Sequence, residues 1–403
     1  MKDAPDSSGA DTTAAAAATR GQSSIAQPLL GGRTSALALI LGMFVEAVGY
    51  GMVAPTLPFM ALQVGAAEGR IGLLVGLYAA VGLFVAVPLG MLAQRFGRRA
   101  LILLGLALLT AASIAFVFAP SYAWLLAARV VQGVGAAGIW VGSLTLGGDL
   151  SQDESMGRSL SWLTGAWSLG FITGPAFGGI GTLRTPFILY AILCAASLLV
   201  AFAWLPVTGV GGPRATLTGI LRVFARPAVL ASGVATFALA FFFGAIEAFV
   251  PLLMVAGEHG RGRVGLLFSV AGLPSVLLPR VTGALADRHG DRWIMVGGFL
   301  FAASLSAAFL PLLGILPDPL LFFLMGCVEV AVYVPAIALL QRGMANGERV
   351  FATASHSYAF SAGFFLGPLI VGALFPLGGF SLMFATLALV VLAAGFFVAR
   401  IRV

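Results

Sequence analysis

Charged residues are what this chain has least of. Asp, Glu, Lys and Arg make up 9% of its 403 residues, against roughly 25% in a soluble domain, and the mean hydropathy is +1.04. A water-soluble globular fold is excluded on that ground. Cysteine is nearly absent too: Cys194 and Cys327 both fall in apolar runs, so neither a disulfide framework nor a metal site is implied. The 22 basic residues form no dense patch, so the net charge of +7 is topology and not the footprint of a nucleic-acid binder. A phosphate-cradling loop is also missing. GVGAAG at 133–138 lies inside an apolar run with no strand before it, which removes a dinucleotide reading. No catalytic constellation appears, so no enzyme, cofactor or direct use of ATP is expected.

What the chain does have is apolar sequence in blocks. Runs of spanning length occur at 35–61, 70–93, 100–119, 121–148, 157–181, 185–206, 228–256, 264–286, 293–313, 319–341, 351–375 and 379–398. In hydrocarbon each backbone polar group must be satisfied within the chain, so these runs must be helices. The expected fold class is an all-α polytopic membrane protein of twelve transmembrane helices, surrounded by a lipid bilayer. Sixteen of the 22 Lys and Arg fall on the termini and alternate loops, four on the other side, and Arg129 and Arg280 within spans. The positive-inside rule then makes both termini cytoplasmic, in a cell membrane of the bacterial inner-membrane kind. Residues 1–34 read as a disordered tail. Their five-alanine run is too weak for a cleaved signal peptide, so the first span is expected to serve as an uncleaved anchor.

The chain repeats itself. Gly90 opens GMLAQRFGRR and Gly283 opens GALADRHGDR, 193 residues later. At the same interval Gly170, Gly174 and Pro175 correspond to Gly363, Gly367 and Pro368, and Pro58 to Pro251. Three anchors in one register divide the chain into a tail (1–34), a six-helix half (35–206), a linker (207–227) and a second, parallel six-helix half (228–403). Paired halves of this kind hold a substrate near the midplane and open to one side at a time.

GFITGPAFGG at 170–179 puts Gly170, Gly174 and Gly178 on one helix face, stripped of side chains, with Gly179 following and Pro175 able to bend the helix. Packing alone would account for such a groove. The stretch resembles the span 5 antiporter signature G-x-x-x-G-P-x-x-G-G of the major facilitator superfamily. GMLAQRFGRR is similar to that superfamily's loop signature, with Gln94 in the usual Asp position, and the second copy keeps the acid as Asp287. The matching loop residues are Gly90, Arg95, Gly97, Arg98 and Arg99, then Gly283, Arg288, Gly290 and Arg292. RVVQGVGAAG, with Arg129, Gln132 and Gly133, resembles the span 4 signature. The resemblance covers residues 35–400 and, through span 5, points to twelve-span proton-coupled drug exporters and vesicular monoamine transporters. It implies that spans 1, 4, 7 and 10 line the cavity, that GFITGPAFGG seals the halves against leak, and that the loop copies latch the halves on the cytoplasmic face. Gln94 would then make the first latch weaker, and Gln94→Asp would be expected to strengthen it.

A charge at the bilayer centre costs at least about 2.5–3.5 kcal/mol, so ionisable residues in spans are functional candidates. Glu46, Arg129, Glu247 and Glu329 fall on spans 1, 4, 7 and 10, and are the expected proton-coupling residues. Glu46 and Arg129 lie at nearly the same depth and are expected to face each other, either as a proton site with its modulator or as a structural ion pair. Tyr50, Gln132, Phe243, Glu247, Glu329 and Tyr333 are the expected cavity residues, acid and aromatic together suiting an organic cation. Arg280 sits close enough to the loop end to snorkel, and His356 reads as a hydrogen-bonded structural residue or a relay.

The expected function is a monomeric secondary transporter that exports small amphipathic compounds, organic cations among them, in exchange for protons. An exporter of one metabolite such as a sugar, a lipid flippase, and a non-transporting receptor of the same fold stay open as alternatives.

Overall fold

The computed structural model describes residues 32–150, 156–207, 226–257, 260–342 and 349–401. The expected tail up to residue 31 and the expected linker across 208–225 lie outside them. The described chain runs through α1 (Arg33–Gly51), α2 (Leu57–Gln63), α3 (Glu68–Phe96), α4 (Arg98–Val117), α5 (Tyr122–Asp149), α6 (Met156–Gly178) and α7 (Thr185–Trp204). It continues through α8 (Pro227–Ala256), α9 (Arg261–Gly272), α10 (Pro274–Leu277), α11 (Pro279–His289), α12 (Asp291–Leu312), α13 (Asp318–Arg342) and α14 (Arg349–Arg400). Among the described residues there is no strand beyond a single isolated bridge, Leu313 to Leu316.

Among the described residues nine helices are each long and apolar enough to cross a membrane, and the bent pair around Pro279 makes ten when it is counted as one span. The expected count of twelve would need α6, 23 residues long, as a further span and the 52-residue α14 divided at Gly379, whose φ of 55° breaks the helix. Two expected runs are less regular than their hydropathy implied. The first run is α1 and α2, separated by a break at 52–56 where Thr56 donates its hydroxyl to the carbonyl of Met52. The eighth is α9, α10 and α11, bent by 50° before Pro279. Proline removes a backbone donor and clashes with the preceding turn, which places each break where the sequence has one.

The 193-residue repeat recurs in three dimensions. α6 packs on α1, and α14 on α8, by the same device. A methyl group at Gly170 or Gly174 would run into the carbonyls of Phe44 and Val48, and one at Gly363 or Gly367 into those of Phe237 and Phe241, each 193 residues further on. Bare glycine lets two helix backbones touch where hydrocarbon offers no hydrophobic drive to bring them together. The fold is two pseudo-symmetric bundles, the first built on α1 to α7 and the second on α8 to α14.

The loop signatures sit at one end of the molecule, here the basic end. Gly97 (φ 88°) and Gly290 (φ 89°) link α3 to α4 and α11 to α12 in a backbone conformation that side chains disfavour. Those two glycines of the signature are required by chain geometry.

Candidate functional site

Glu46 is buried on α1 with both carboxylate oxygens occupied. Oε1 accepts from the Tyr78 hydroxyl of α3 at 2.6 Å, and Oε2 from the Trp167 indole Nε1 of α6 at 2.7 Å. Arg129, on α5, does not pair with it. Its guanidinium donates to Gln132 Oε1 at 2.7 Å and to the Val75 carbonyl at 3.2 Å. Its Cζ lies 4.7 Å from the centre of the Tyr78 ring. The expected face-to-face ion pair is thus replaced by a sandwich in which Tyr78 binds the acid with its hydroxyl and the base with its π face. Equal depth fixed the levels of Glu46 and Arg129, but the azimuth of each helix set the contact. Gln132 donates in turn to the Gly49 carbonyl at 3.4 Å, fastening α5 to α1.

Tyr50 joins the bundles. Its hydroxyl reaches Glu247 Oε1 of α8 at 3.5 Å. Its ring lies 5.6–6.0 Å from those of Tyr78, Trp167 and Phe171 and 5.7 Å from Phe364 on α14. Beside it is a small hollow between the bundles, walled by Ala54, Phe171 and Pro175 on one side and by Phe243, Glu247 and Glu329 on the other. Glu329 takes part in no hydrogen bond or ion pair among the described residues. The hollow therefore presents two acids and three aromatic rings, Phe171, Phe243 and Phe268. Ring faces and carboxylates both attract positive charge.

Of the other expected cavity residues, Tyr50 and Gln132 lie in the network beside the hollow and not in its wall. Tyr333 packs edge-on against His356, 5.3 Å between centroids. His356 is buried with Nδ1 2.9 Å from the Thr236 hydroxyl, which fits the structural reading of that residue. Arg280 and Arg288 line an exposed groove on α11.

The antiporter stretch does two jobs. Gly170 and Gly174 lie against α1 and Gly178 against Met52 and Pro55 in the break that follows it, while Pro175 and Gly179 meet α9 of the other bundle, Gly179 within reach of the Gly262 Cα. Ala176, following the proline, donates its backbone N–H to the Ser269 hydroxyl at 3.1 Å.

The loop copies behave differently from the expected latch between halves. Asp287 and Asp291 both pair with Arg342 of α13, Asp291 at 3.0 Å, and Arg98 pairs with Asp149 of α5 at 2.6 Å. All of these stay within one bundle. Arg99 donates to the Phe202 carbonyl at 2.6 Å, again within its own bundle. Arg95 and Arg292 lie over their neighbours Phe96 and Trp293.

Positions 98 and 149 are the repeat partners of 291 and 342, and their charges are inverted: Arg–Asp in the first bundle, Asp–Arg in the second. Position 94 corresponds to Asp287, so an acid there would face Asp149. Gln94→Asp is accordingly expected to weaken the basic end of the first bundle and not to strengthen a latch. Exposed pairs are worth about 0.2–1 kcal/mol, so thermal melting should fall by about 1–4 °C. Gln94→Lys should leave it level or raise it, and a rise with Gln94→Asp would refute the inversion argument.

Sequence reading missed Tyr78 and Trp167. Both stand singly in apolar runs with no motif around them, and aromatics in spans are ordinary. Only their meeting at Glu46, from α3 and α6, marks them.

Comparison with known proteins gives the family context. The model of the Major Facilitator Superfamily matches residues 39–260 and 232–403. Over 153 residues the chain is 36% identical to an uncharacterized MFS-type transporter of Schizosaccharomyces pombe, an alignment covering 36% of this chain and 33% of that protein, so it spans about a third of that relative. Over 371 residues it is 25% identical to multidrug resistance protein 1 of Bacillus subtilis, covering 88% of this chain and 93% of that one. Among solved structures, the nucleoside transporter NupG superposes with a TM-score of 0.77 at 13% identity, covering 91% of this chain and all of the other.

Proposed function

The chain belongs to the major facilitator superfamily, and from that premise we propose that it exports small amphipathic compounds, organic cations among them, in exchange for protons. It is a multi-pass membrane transporter and not an enzyme. The single observation carrying the finer reading is the division of labour among its buried acids. Glu46 is sealed by two donors in the first bundle, Glu247 and Glu329 open into a hollow at the second, and Tyr50 spans the gap.

Hydrogen-bond direction gives the proposed proton step. An indole N–H can only donate, so Glu46 Oε2 must accept from Trp167 in either protonation state. A proton on Glu46 then sits on Oε1, facing Tyr78, whose hydroxyl turns from donor to acceptor. Tyr78 also lies under Arg129, so proton arrival is felt by the base that ties α5 to α3 directly and to α1 through Gln132. In the second bundle a cation entering the hollow competes with the Tyr50 hydroxyl for Glu247, which loosens the contact between bundles. Proton and substrate thus act on the same interface from opposite sides.

The concentration of arginine at the basic end supports placing that end, and both termini, in the cytoplasm. The protein would work as a monomer in the cell membrane, with protons, lipid and a small molecule as partners.

Purified protein in proteoliposomes tests this reading. With an acidic lumen, tetraphenylphosphonium should accumulate in protein-containing vesicles well above protein-free ones, and collapse of the gradient should abolish it. Accumulation indifferent to the gradient would remove proton exchange, and transbilayer movement of a fluorescent phospholipid without cation transport would favour the flippase alternative.

A further inference from the structure

We propose that Trp167 and Phe171, four residues apart on α6, link the hollow to the proton site, so that cargo against Phe171 holds the indole of Trp167 on Glu46. Phe171 walls the hollow, and Trp167 donates its Nε1–H to Glu46 Oε2 at 2.7 Å. Between these two contacts the rings themselves stack, 5° from parallel with centroids 5.5 Å apart. The path from cargo to carboxylate is therefore two side chains long.

Neighbours leave the pair little freedom. Trp140 of α5 meets the indole edge-on at 5.8 Å, and the Tyr50 ring lies 6.0 Å from Trp167 and 5.7 Å from Phe171. The backbone beneath cannot yield either. A methyl group at Gly170 or Gly174 would run into the carbonyls of Phe44 and Val48, so α6 already touches α1 on either side of Phe171 in the chain. Pressure on the Phe171 ring thus passes to Trp167 and not into a shift of the helix.

The indole bond is sensitive to charge. An N–H donated to an ionised carboxylate is about twice as strong as one donated to a neutral acid, so holding Trp167 in place favours ionised Glu46 and releasing it favours the protonated acid. Cargo pressed on Phe171 accordingly sends the proton of Oε1 to solvent, and a proton returning to Oε1 loosens the indole and the ring that faces the cargo. The two effects are one coupling, so cargo that favours ionised Glu46 by about threefold is itself bound about threefold more tightly by that form. Other ionisable groups surround Glu46: Tyr78 from α3, Arg129 of α5 beyond the Tyr78 ring, and Tyr190 and Cys194 of α7, close enough to feel its charge. Tyr50 lies one turn along its own helix, held by Glu247 of α8. Among the described residues Trp167 alone both bonds Glu46 and stacks on a ring of the hollow's wall. It is a positioning residue, touching neither proton nor cargo. The link rests on the cation-for-proton reading and adds the route between its two sites.

Infrared difference spectroscopy on the full chain in lipid tests the link, with tetraphenylphosphonium at a concentration that saturates each variant by isothermal titration. The Glu46 carboxyl signal is the component that Glu46→Gln removes. In the wild type, bound tetraphenylphosphonium should lower the protonated Glu46 signal and move its midpoint by about threefold in proton concentration. Phe171→Ala cuts the stack, and Trp167→Phe keeps a stacked ring without its N–H. Each should abolish that response while Glu46 still titrates, and Phe171→Tyr should retain it. The component that Glu46→Gln leaves, from Glu247 and Glu329, should respond in every variant and so show the hollow occupied. A wild-type response of Glu46 in folded Phe171→Ala overturns the link, as does a wild-type Glu46 indifferent to bound tetraphenylphosphonium, and both results leave the cation reading standing. Should Trp167→Phe fail to fold, Phe171→Ala and Phe171→Tyr decide between the same outcomes. A wild-type protein that binds no tetraphenylphosphonium fails the cation reading, and the link falls with it.

Discussion

Glu46→Gln is expected to give a folded protein that still binds its substrate and no longer responds to a pH gradient. The hydrogen bonds explain why folding survives. The amide oxygen can accept from Trp167 and the amide nitrogen can donate to Tyr78, so the variant reproduces the geometry of a protonated Glu46 permanently. Two charge-assisted bonds become neutral ones, a loss of about 1 kcal/mol each at most. Gradient-driven accumulation should fall by at least tenfold, while equilibrium binding of tetraphenylphosphonium stays within about threefold. Undiminished gradient-driven transport would remove Glu46 as the proton carrier. Tyr78→Phe provides a check from the other side of the same bond, with the acid retained and its switchable partner gone.

The second large effect is expected at Glu329. That carboxylate has no partner among the described residues and faces the hollow, so Glu329→Gln removes a charge without orphaning a neighbour. An interaction with a charged group in a partly desolvated site is worth about 1.5–3 kcal/mol, which corresponds to a tenfold to hundredfold weaker Kd for an organic cation. A neutral substrate of similar size should change less than twofold. Glu247→Gln should show the same selectivity with an added effect on the inter-bundle contact, because Tyr50 donates to that carboxylate at 3.5 Å. Isothermal titration with one cationic and one neutral compound separates the outcomes. Equal loss for both compounds would mean that the acids hold the hollow open and do not recognise charge.

Much of the scaffold was legible because it follows from solvent and from repetition. Helices are obligatory in hydrocarbon, so apolar runs located them, and an interval of 193 residues in the glycine and proline positions located their packing. The glycines of GFITGPAFGG proved to be contact points with α1 and α9, as their spacing on one face indicated. Breaks inside spans, at residues 52–56 and before Pro279, were invisible to hydropathy, because a broken helix and a whole one have the same composition.

The site was legible only in part, for a related reason. Residues of the spans that obey the repeat are scaffold, whereas the buried charges within the spans break it: Glu46 corresponds to Leu239, Arg129 to Phe322, Glu247 to Ala54 and Glu329 to Ala136. Chemistry in this molecule is built by departures from symmetry. A scan for acids in spans finds those departures, but not the neutral partners that orient them.

By itself, then, the sequence determined that this chain crosses a membrane, that it is doubled, and which ionisable groups lie at depth. Each of these follows from composition or interval along one dimension. Only the tertiary structure decided that Tyr78 stands between Glu46 and Arg129, that the loop acids pair within their own bundles, and that Pro175 and Gly179 meet the other bundle. Those outcomes depend on the rotation of each helix about its axis, which is set by packing against neighbours distant in sequence.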